Sequence, residues 1–498
     1  MKIIKFFIEI IKGIIYGFRD MIFGVGKLFA AIGRFIFEFG KAFKNGDWKV
    51  KLSVLFMGFG HFTRHEIIKG ILIQIYQIVM LYLISFVGFP YLAKFNTLGT
   101  VEREVTFDLA TMKNIENDYD NSFLILLFGI ITILAILALL FTWMKNVIRC
   151  KELMDMEKEG KHINSFREDL RSLLNEKFHV TLLSLPIIGI ITFNVVPLCV
   201  LIAVAFTNYD KRHLTPTHLF TWVGFDNFKR IFTSSITSTF GYSFRKILVW
   251  TLVWAVVATF TTYFGGIFLA MFINNKDTKL KKLWRTIFVV SMAVPQFVSL
   301  LLVKNMFKNQ GIVNTLCAKV GITGLLYKIH LIPTENYIPF LTNANWAKFT
   351  IIMINIWVGI PYLMMIATGI LMNIPSDIQE SARIDGATKF QAFRKITMPY
   401  ILNVTAPYLV TSFVANINNF NVIFLLTDDV YVTTDQKLAN SSAREVDLLI
   451  TWLYRLTQDE SNYKMASVIG ILVFIICTFF TLIAFKRVTS TEREETFQ

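Results

Sequence analysis

Stretches of apolar residues about twenty or more long recur along this chain, and that recurrence limits it to one kind of fold. They fall at about 67–92, 122–144, 180–206, 247–273, 286–307, 348–373, 403–427 and 465–486. No water is available in hydrocarbon, so each segment must satisfy its own backbone N–H and C=O groups, which predicts helices. Composition agrees: 54% of the 498 residues are hydrophobic and 17% are charged, too apolar for a soluble chain of this size. The expected fold class is an all-α integral membrane protein, multi-pass in a plasma or inner membrane, with about eight transmembrane helices.

The formal charge of +15 invites a nucleic-acid reading, but the Lys and Arg residues lie in loops beside apolar segments rather than on one face. Connection 145–179 carries Lys145, Arg149, Lys151, Lys158, Lys161, Arg167, Arg171 and Lys177, and connection 274–285 carries Lys276, Lys279, Lys281, Lys282 and Arg285. Connections 93–121 and 428–463 lean acidic, with Glu102, Glu104, Asp108, Glu116, Asp118 and Asp120 in the first. Retention of basic loops on the inner side therefore places both termini in the cytosol, and no nucleic-acid partner is expected. Cys150, Cys199, Cys317 and Cys477 have no paired spacing, so neither a metal site nor a disulfide framework is expected.

In region 1–65, charges interrupt the apolar pattern, which is unlike a signal peptide. Lys5, Lys12, Arg19, Lys27, Arg34 and Lys41 recur about every seven residues and share one narrow helix sector. This predicts an amphipathic helix in the inner interface, broken near Gly24 and Gly26, with its basic stripe toward anionic lipid. His61 and His65 read as interfacial rather than as ligands. Spans 1–3 with their loops occupy 66–244, and 491–498 is a cytosolic tail.

Between two apolar spans lies Ile374–Tyr400, which reads as two short helices around a glycine hinge. Pro375 blocks continuation of the preceding helix, and Ser376 with Gln379 is spaced as a capping box. Gly386 suits a left-handed C-terminal position, Ala387–Ile396 can coil again, and Pro399 is read as closing the unit. Ser381 and Ala382 leave one face thin enough to enter a cleft. Glu380-Ser381-Ala382, Asp385-Gly386-Ala387 and Ile396-Thr397-Met398-Pro399 resemble, in order and spacing, the EAA loop of membrane subunits of binding-protein-dependent ABC importers. Ser stands for the middle Ala and Met for the usual Leu. The resemblance implies that this loop is a coupling helix seated in a groove of a cytosolic ATPase.

The spans hold essentially no ionisable side chain in their interiors; Lys69, Lys304 and Lys348 sit at ends, where they can snorkel. That disfavours a proton- or sodium-coupled carrier. The chain has no GxxxxGK[ST] loop, so ATP and Mg²⁺ would belong to a partner and the chain itself is not an enzyme. The polar chemistry in the spans is amide and aromatic. Asn416 and Asn419 are three apart on one face, with Ser412 a turn earlier. Asn355, Gly359 and Tyr362 flank Pro361, and Gln296 follows Pro295. Amides donate and accept as sugar hydroxyls do, a tyrosine ring can lie on a pyranose face, and Gly359 lets a ligand approach the backbone.

These stretches resemble the sugar-contacting spans of the larger permease of maltose-type importers. By position the resemblance implies substrate contacts at Met292, Gln296, Asn355, Val358, Gly359, Tyr362, Ser412, Ala415, Asn416 and Asn419. Met292, Gln296 and Ala415 depart from the family's residue types, and an aromatic is missing at 292 and 415. The resemblance further implies a transport core at 245–490, a second homologous permease, two cytosolic ATPase subunits and an extracellular sugar-binding protein. The competing expectation is a stand-alone channel or membrane scaffold, in which 374–400 is merely a loop.

Overall fold

The computed structural model describes residues 2–109, 112–233, 239–275 and 277–495; at 2–18, 20–22, 25, 28, 108, 291, 376, 379 and 483–495 it describes the backbone alone. Apart from a hairpin, Val105–Asp108 with Lys113–Glu116, its regular structure among these residues is helical. Seven described helices are long and apolar enough to cross a membrane: Ile67–Ala93, Ser122–Lys158, Phe178–Val204, Phe240–Asn274, Ala344–Asn373, Lys389–Thr427 and Tyr463–Leu482. The eighth expected span, 286–307, is instead two short helices, Lys281–Ala293 and Gln296–Phe307. Val294 and Pro295 between them are extended, with ψ of 128° and 129°. Proline lacks the N–H that would continue the ladder and pushes the preceding residue out of the helical region.

Three other prolines are handled differently. Pro90, Pro197 and Pro399 each stand at the second residue of an α-helical stretch, immediately after a widened π-turn at Leu83–Gly88, Ile191–Val195 and Phe393–Thr397. Widening the turn gives the pyrrolidine ring room where it would meet the carbonyl four residues back. Pro399 therefore does not close the 374–400 unit as expected: the helix runs through it from Lys389 to Ile417.

The chain forms two compact units. One comprises Phe18–Asn227 and Asn462–Val468; the other comprises Phe228–Ser461 with Met1–Gly17 and Ile469–Gln498. Helix Lys2–Asn45, which enters the first unit from Phe18 onward, is continuous through Gly24 and Gly26, so the expected break is absent. Phe35 and Phe39 of this helix pack on Phe141 and Trp143, with ring centroids 5.3 and 5.0 Å apart. His61 is buried rather than interfacial, its Nδ1 2.6 Å from Glu66 and its Nε2 3.0 Å from Asn146 Oδ1. Burial pulls its pKa down, but Cys150 and the Glu66 carboxylate outweigh this and raise it to about 9. The buried Arg64 guanidinium ties Asp47 to Glu157 across the same region. Lys69, expected to snorkel, is paired with Glu66.

In the second unit, Phe240–Asn274 lies close along Ala344–Asn373 because small residues face bulky ones. A Cβ on Gly266 would come 2.7 Å from Leu363, and one on Gly265 2.7 Å from Ile360. Trp254, Ala258, Ile351, Ile354, Val422 and Ile423 form the buried core beside this seam. Lys304 is buried and paired with Asp429 at 2.6 Å, and so does not snorkel; Lys348 lies over the Trp250 ring at 4.7 Å. In connection 428–463 the buried Glu445 carboxylate accepts from the Tyr431 hydroxyl and from the Thr434 and Asp435 N–H groups.

Candidate functional site

The coupling-loop residues lie on a helix, a turn and a second helix. Helix Ser376–Ile384 starts at Ser376 itself, with Pro375 in the capping position, so the serine is not the cap. The capping box forms one helix later, where Thr388 accepts from the Gln391 N–H and the Gln391 side chain accepts from the Thr388 N–H. Between them Gly386 takes φ +75°, as its position after the helix suggested. The Gly386 N–H donates to Arg383 C=O and the Ala387 N–H to Ala382 C=O, which satisfies two carbonyls at the helix end.

Glu380, Ser381, Asp385 and Gly386 are exposed and Ala387 is half-buried, while Pro399 stands in the following helix. Ala382 is only 8% exposed, so it faces the chain's own interior and is not free to enter a cleft. The outward apolar surface is instead made by Ile378 and by Ile384, which is 86% exposed.

The amide residues gather around two helix breaks. Helix Met398–Ile417 ends at Asn418, and Asn419 is extended, its side-chain oxygen accepting from the Val422 N–H to start helix Phe420–Thr427. At this break the Asn416 carbonyl accepts from the Asn419 N–H at 3.2 Å and also from the Trp254 indole at 3.1 Å. The Asn416 side chain donates to Thr259 Oγ1 at 3.0 Å, and Asn419 donates to Asn416 Oδ1 at 3.4 Å. Across the other break, Asn421 donates to Gln296 Oε1 at 3.4 Å. Both breaks thus lie beside half-exposed or exposed amides, each of which carries both donors and an acceptor.

The remaining positions divide. Met292 and Ala415 are exposed, Val358 packs against the buried core, and Asn355 is buried. Tyr362 is half-exposed, its ring 5.9 Å from that of Tyr408, which hydrogen-bonds Ser412. Gly359 is half-buried. A Cβ there would come 2.7 Å from Thr262 Cγ2, so the glycine serves the helix seam. Asn418 turns to Val414 C=O and Cys477 Sγ, away from Asn416. Sequence reasoning missed Thr259, Tyr408 and Asn421. The last was legible in the run Asn416-Ile417-Asn418-Asn419-Phe420-Asn421, but the two others carry no amide to mark them.

Residues 262–491 match the family described as binding-protein-dependent transport system inner membrane component. The galactooligosaccharides transport system permease protein of Bacillus subtilis strain 168 is 32% identical over 440 residues, covering 88% of this chain and 96% of its own. The maltodextrin transport system permease protein of Streptococcus pneumoniae (strain ATCC BAA-334 / TIGR4) is 33% identical over 379 residues, covering 76% and 84%. A crystal structure of a bacterial ABC transporter involved in alginate import has a chain that superposes with a TM-score of 0.51 at 24% identity. The match covers 64% of this chain and 98% of that one, which shows a shared fold. With the relatives matched over most of their length and seven apolar helices of spanning length, this chain is a multi-pass membrane protein that belongs to the family of inner-membrane permease components of binding-protein-dependent transport systems.

Proposed function

We propose that this chain is one permease subunit of an ATP-driven importer of oligosaccharides, of the malto- or galacto-type or related to them. The observation that carries this is the convergence of amides at two helix breaks, with Gln296 on one side and Asn416, Asn419 and Asn421 on the other. Neutral amides pair with sugar hydroxyls without calling for a counter-charge. An anionic ligand would instead ask for fixed positive groups, and among the described residues no ion pair or hydrogen bond brings a Lys or Arg to these amides. Tyr362 supplies an aromatic face, Ser412 adds a half-buried hydroxyl, and Asn355 stands buried.

The chain pairs with a second, homologous permease, with two cytosolic ATPase subunits that hold ATP and Mg²⁺, and with an external binding protein that delivers the sugar. Both termini and the 374–400 loop face the cytosol, and the basic N-terminal helix lies along anionic lipid. Closure of the ATPase pair pulls on Glu380, Ser381, Asp385 and the exposed Ile378 and Ile384, and the spans rock to open the amide site outward. The test is ATPase activity of the reconstituted complex with binding protein and a panel of oligosaccharides. Stimulation that requires both the binding protein and one sugar class supports the reading. Activity that is flat across the panel, or a preparation without an ATPase subunit, overturns it in favour of a stand-alone channel.

A further inference from the structure

The unit Phe18–Asn227 contains a groove of about 740 Å³ that the transport reading does not use. Its walls come from helix Lys2–Asn45 and from two of the membrane-length helices, Ile67–Ala93 and Ser122–Lys158. Phe35, Leu72, Ile73 and Ile148 make them apolar, and the volume is within the ~300–1,000 Å³ usual for ligand sites. Its floor includes His61 and Asn146, which are already bonded to each other and to buried groups. Beside the His61 imidazolium, which is compensated by Glu66, charge enters at four places: Glu38, Lys145, Arg149 and Glu152. Arg149 and Glu152 neutralise one another at 3.0 Å. Lys145 rests on the Phe141 ring at 5.7 Å, and neither it nor Glu38 forms an ion pair among the described residues.

The groove therefore offers an apolar cleft open to lipid, one uncompensated cation and one uncompensated carboxylate. A soluble metabolite would waste the apolar walls, which favour an acyl chain. A lipid with only negative charge would satisfy Lys145 but set its phosphate against Glu38. A quaternary ammonium could lie near Glu38 but has no N–H to donate to it. A headgroup with a phosphate and a primary ammonium satisfies both. We propose that this groove binds a single phosphatidylethanolamine, its phosphate on Lys145, its ammonium on Glu38 and an acyl chain along Leu72, Ile73 and Ile148.

Native mass spectrometry of the full-length chain in detergent tests this, with phosphatidylethanolamine, phosphatidylglycerol and phosphatidylcholine of identical acyl chains offered at equal ratio. One equivalent of phosphatidylethanolamine should be retained at least about fivefold more than either rival; Glu38→Gln should remove that preference, and Lys145→Gln should lower retention of all three lipids, since each carries the phosphate. Ile73→Trp, which fills the cleft from its apolar wall, should release the lipid without touching either charge, and thermal melting in detergent reports whether each variant is folded. Phosphatidylglycerol retained as well as phosphatidylethanolamine overturns the headgroup assignment. Equal retention of all three, or retention unchanged in the folded charge variants or in Ile73→Trp, overturns the site.

Discussion

Thr262 shows how one side chain sets the approach of two helices. Its hydroxyl donates back to Ala258 C=O at 2.6 Å, which fixes the rotamer and turns Cγ2 toward Gly359. Gly359→Ala should therefore lower the melting temperature, by about 1–3 kcal/mol of overpacking. Thr262→Ser keeps the hydroxyl and removes the methyl, so the double variant should recover a substantial part of the loss. Additive losses in thermal melting would refute the contact. Asn416, Asn419 and Gln296 could be picked out in the sequence because amides are rare and costly in apolar runs. The role of Gly359 could not, since a glycine beside a ligand and one beside a threonine look alike until the neighbouring helix is placed. Glu445 gives a prediction about pH. Burial raises its pKa, but bonds from Thr433, its own N–H, Asp435 and Tyr431 outweigh this and hold it at about 2, below the ordinary 4.5. A depressed folded-state pKa contributes stability above about pH 4.5 that is lost as pH falls toward 2. The melting-temperature gap between wild type and Glu445→Gln should thus be widest near pH 6 and shrink between 4.5 and 2; parallel curves would show that folding does not lower the pKa of this carboxyl.

At the scale of elements, proline decides whether a span is whole or broken, and sequence alone does not say which. Pro295 breaks its span with two extended residues, Pro399 is absorbed by a π-turn, and Pro361 lies inside a continuous helix. All three were visible as prolines in apolar runs. What separates them does not lie in the residue type: the backbone is extended at Pro295, widened to a π-turn before Pro399 and regular at Pro361. The Gly386 turn was legible because its requirement is local: a left-handed residue after a helix, with two N–H groups reaching back. A Cβ there meets nothing within 4 Å, so substitutions act through backbone conformation rather than through clashes inside the chain. Asn tolerates the left-handed region far better than Leu, for which it costs about 1–2 kcal/mol. ATP-dependent uptake should therefore fall in the order Gly386, Gly386→Asn, Gly386→Leu, with equal amounts of each chain in the membrane. Uptake by Gly386→Leu at the normal rate would remove this turn from the coupling path.

For the whole molecule, the seven long apolar helices could be read from composition, but the partition into two units could not. Residues 462–468 belong with Phe18–Asn227 because Tyr463 stacks on Tyr209 at 4.6 Å and the Lys464 N–H bonds Tyr209 C=O, a pairing across about half of the chain that no local pattern announces. Sidedness, in contrast, rests on charge alone. If the basic connections 145–179 and 274–285 are held inside, then Ile384 is cytosolic and Val432, in the acidic connection 428–463, is external. Both are largely exposed, at 86% and 76%, so a cysteine at either should react freely with a thiol reagent that reaches its side. The background must first lose Cys317, because it lies in a connection read as external and is only half-buried. In that Cys317→Ser background, a membrane-impermeant maleimide should label Val432→Cys in intact cells and Ile384→Cys only after permeabilisation. Labelling of Ile384→Cys in intact cells would put the 374–400 loop outside, where no cytosolic ATPase could reach it, and the proposed coupling would fail with the topology.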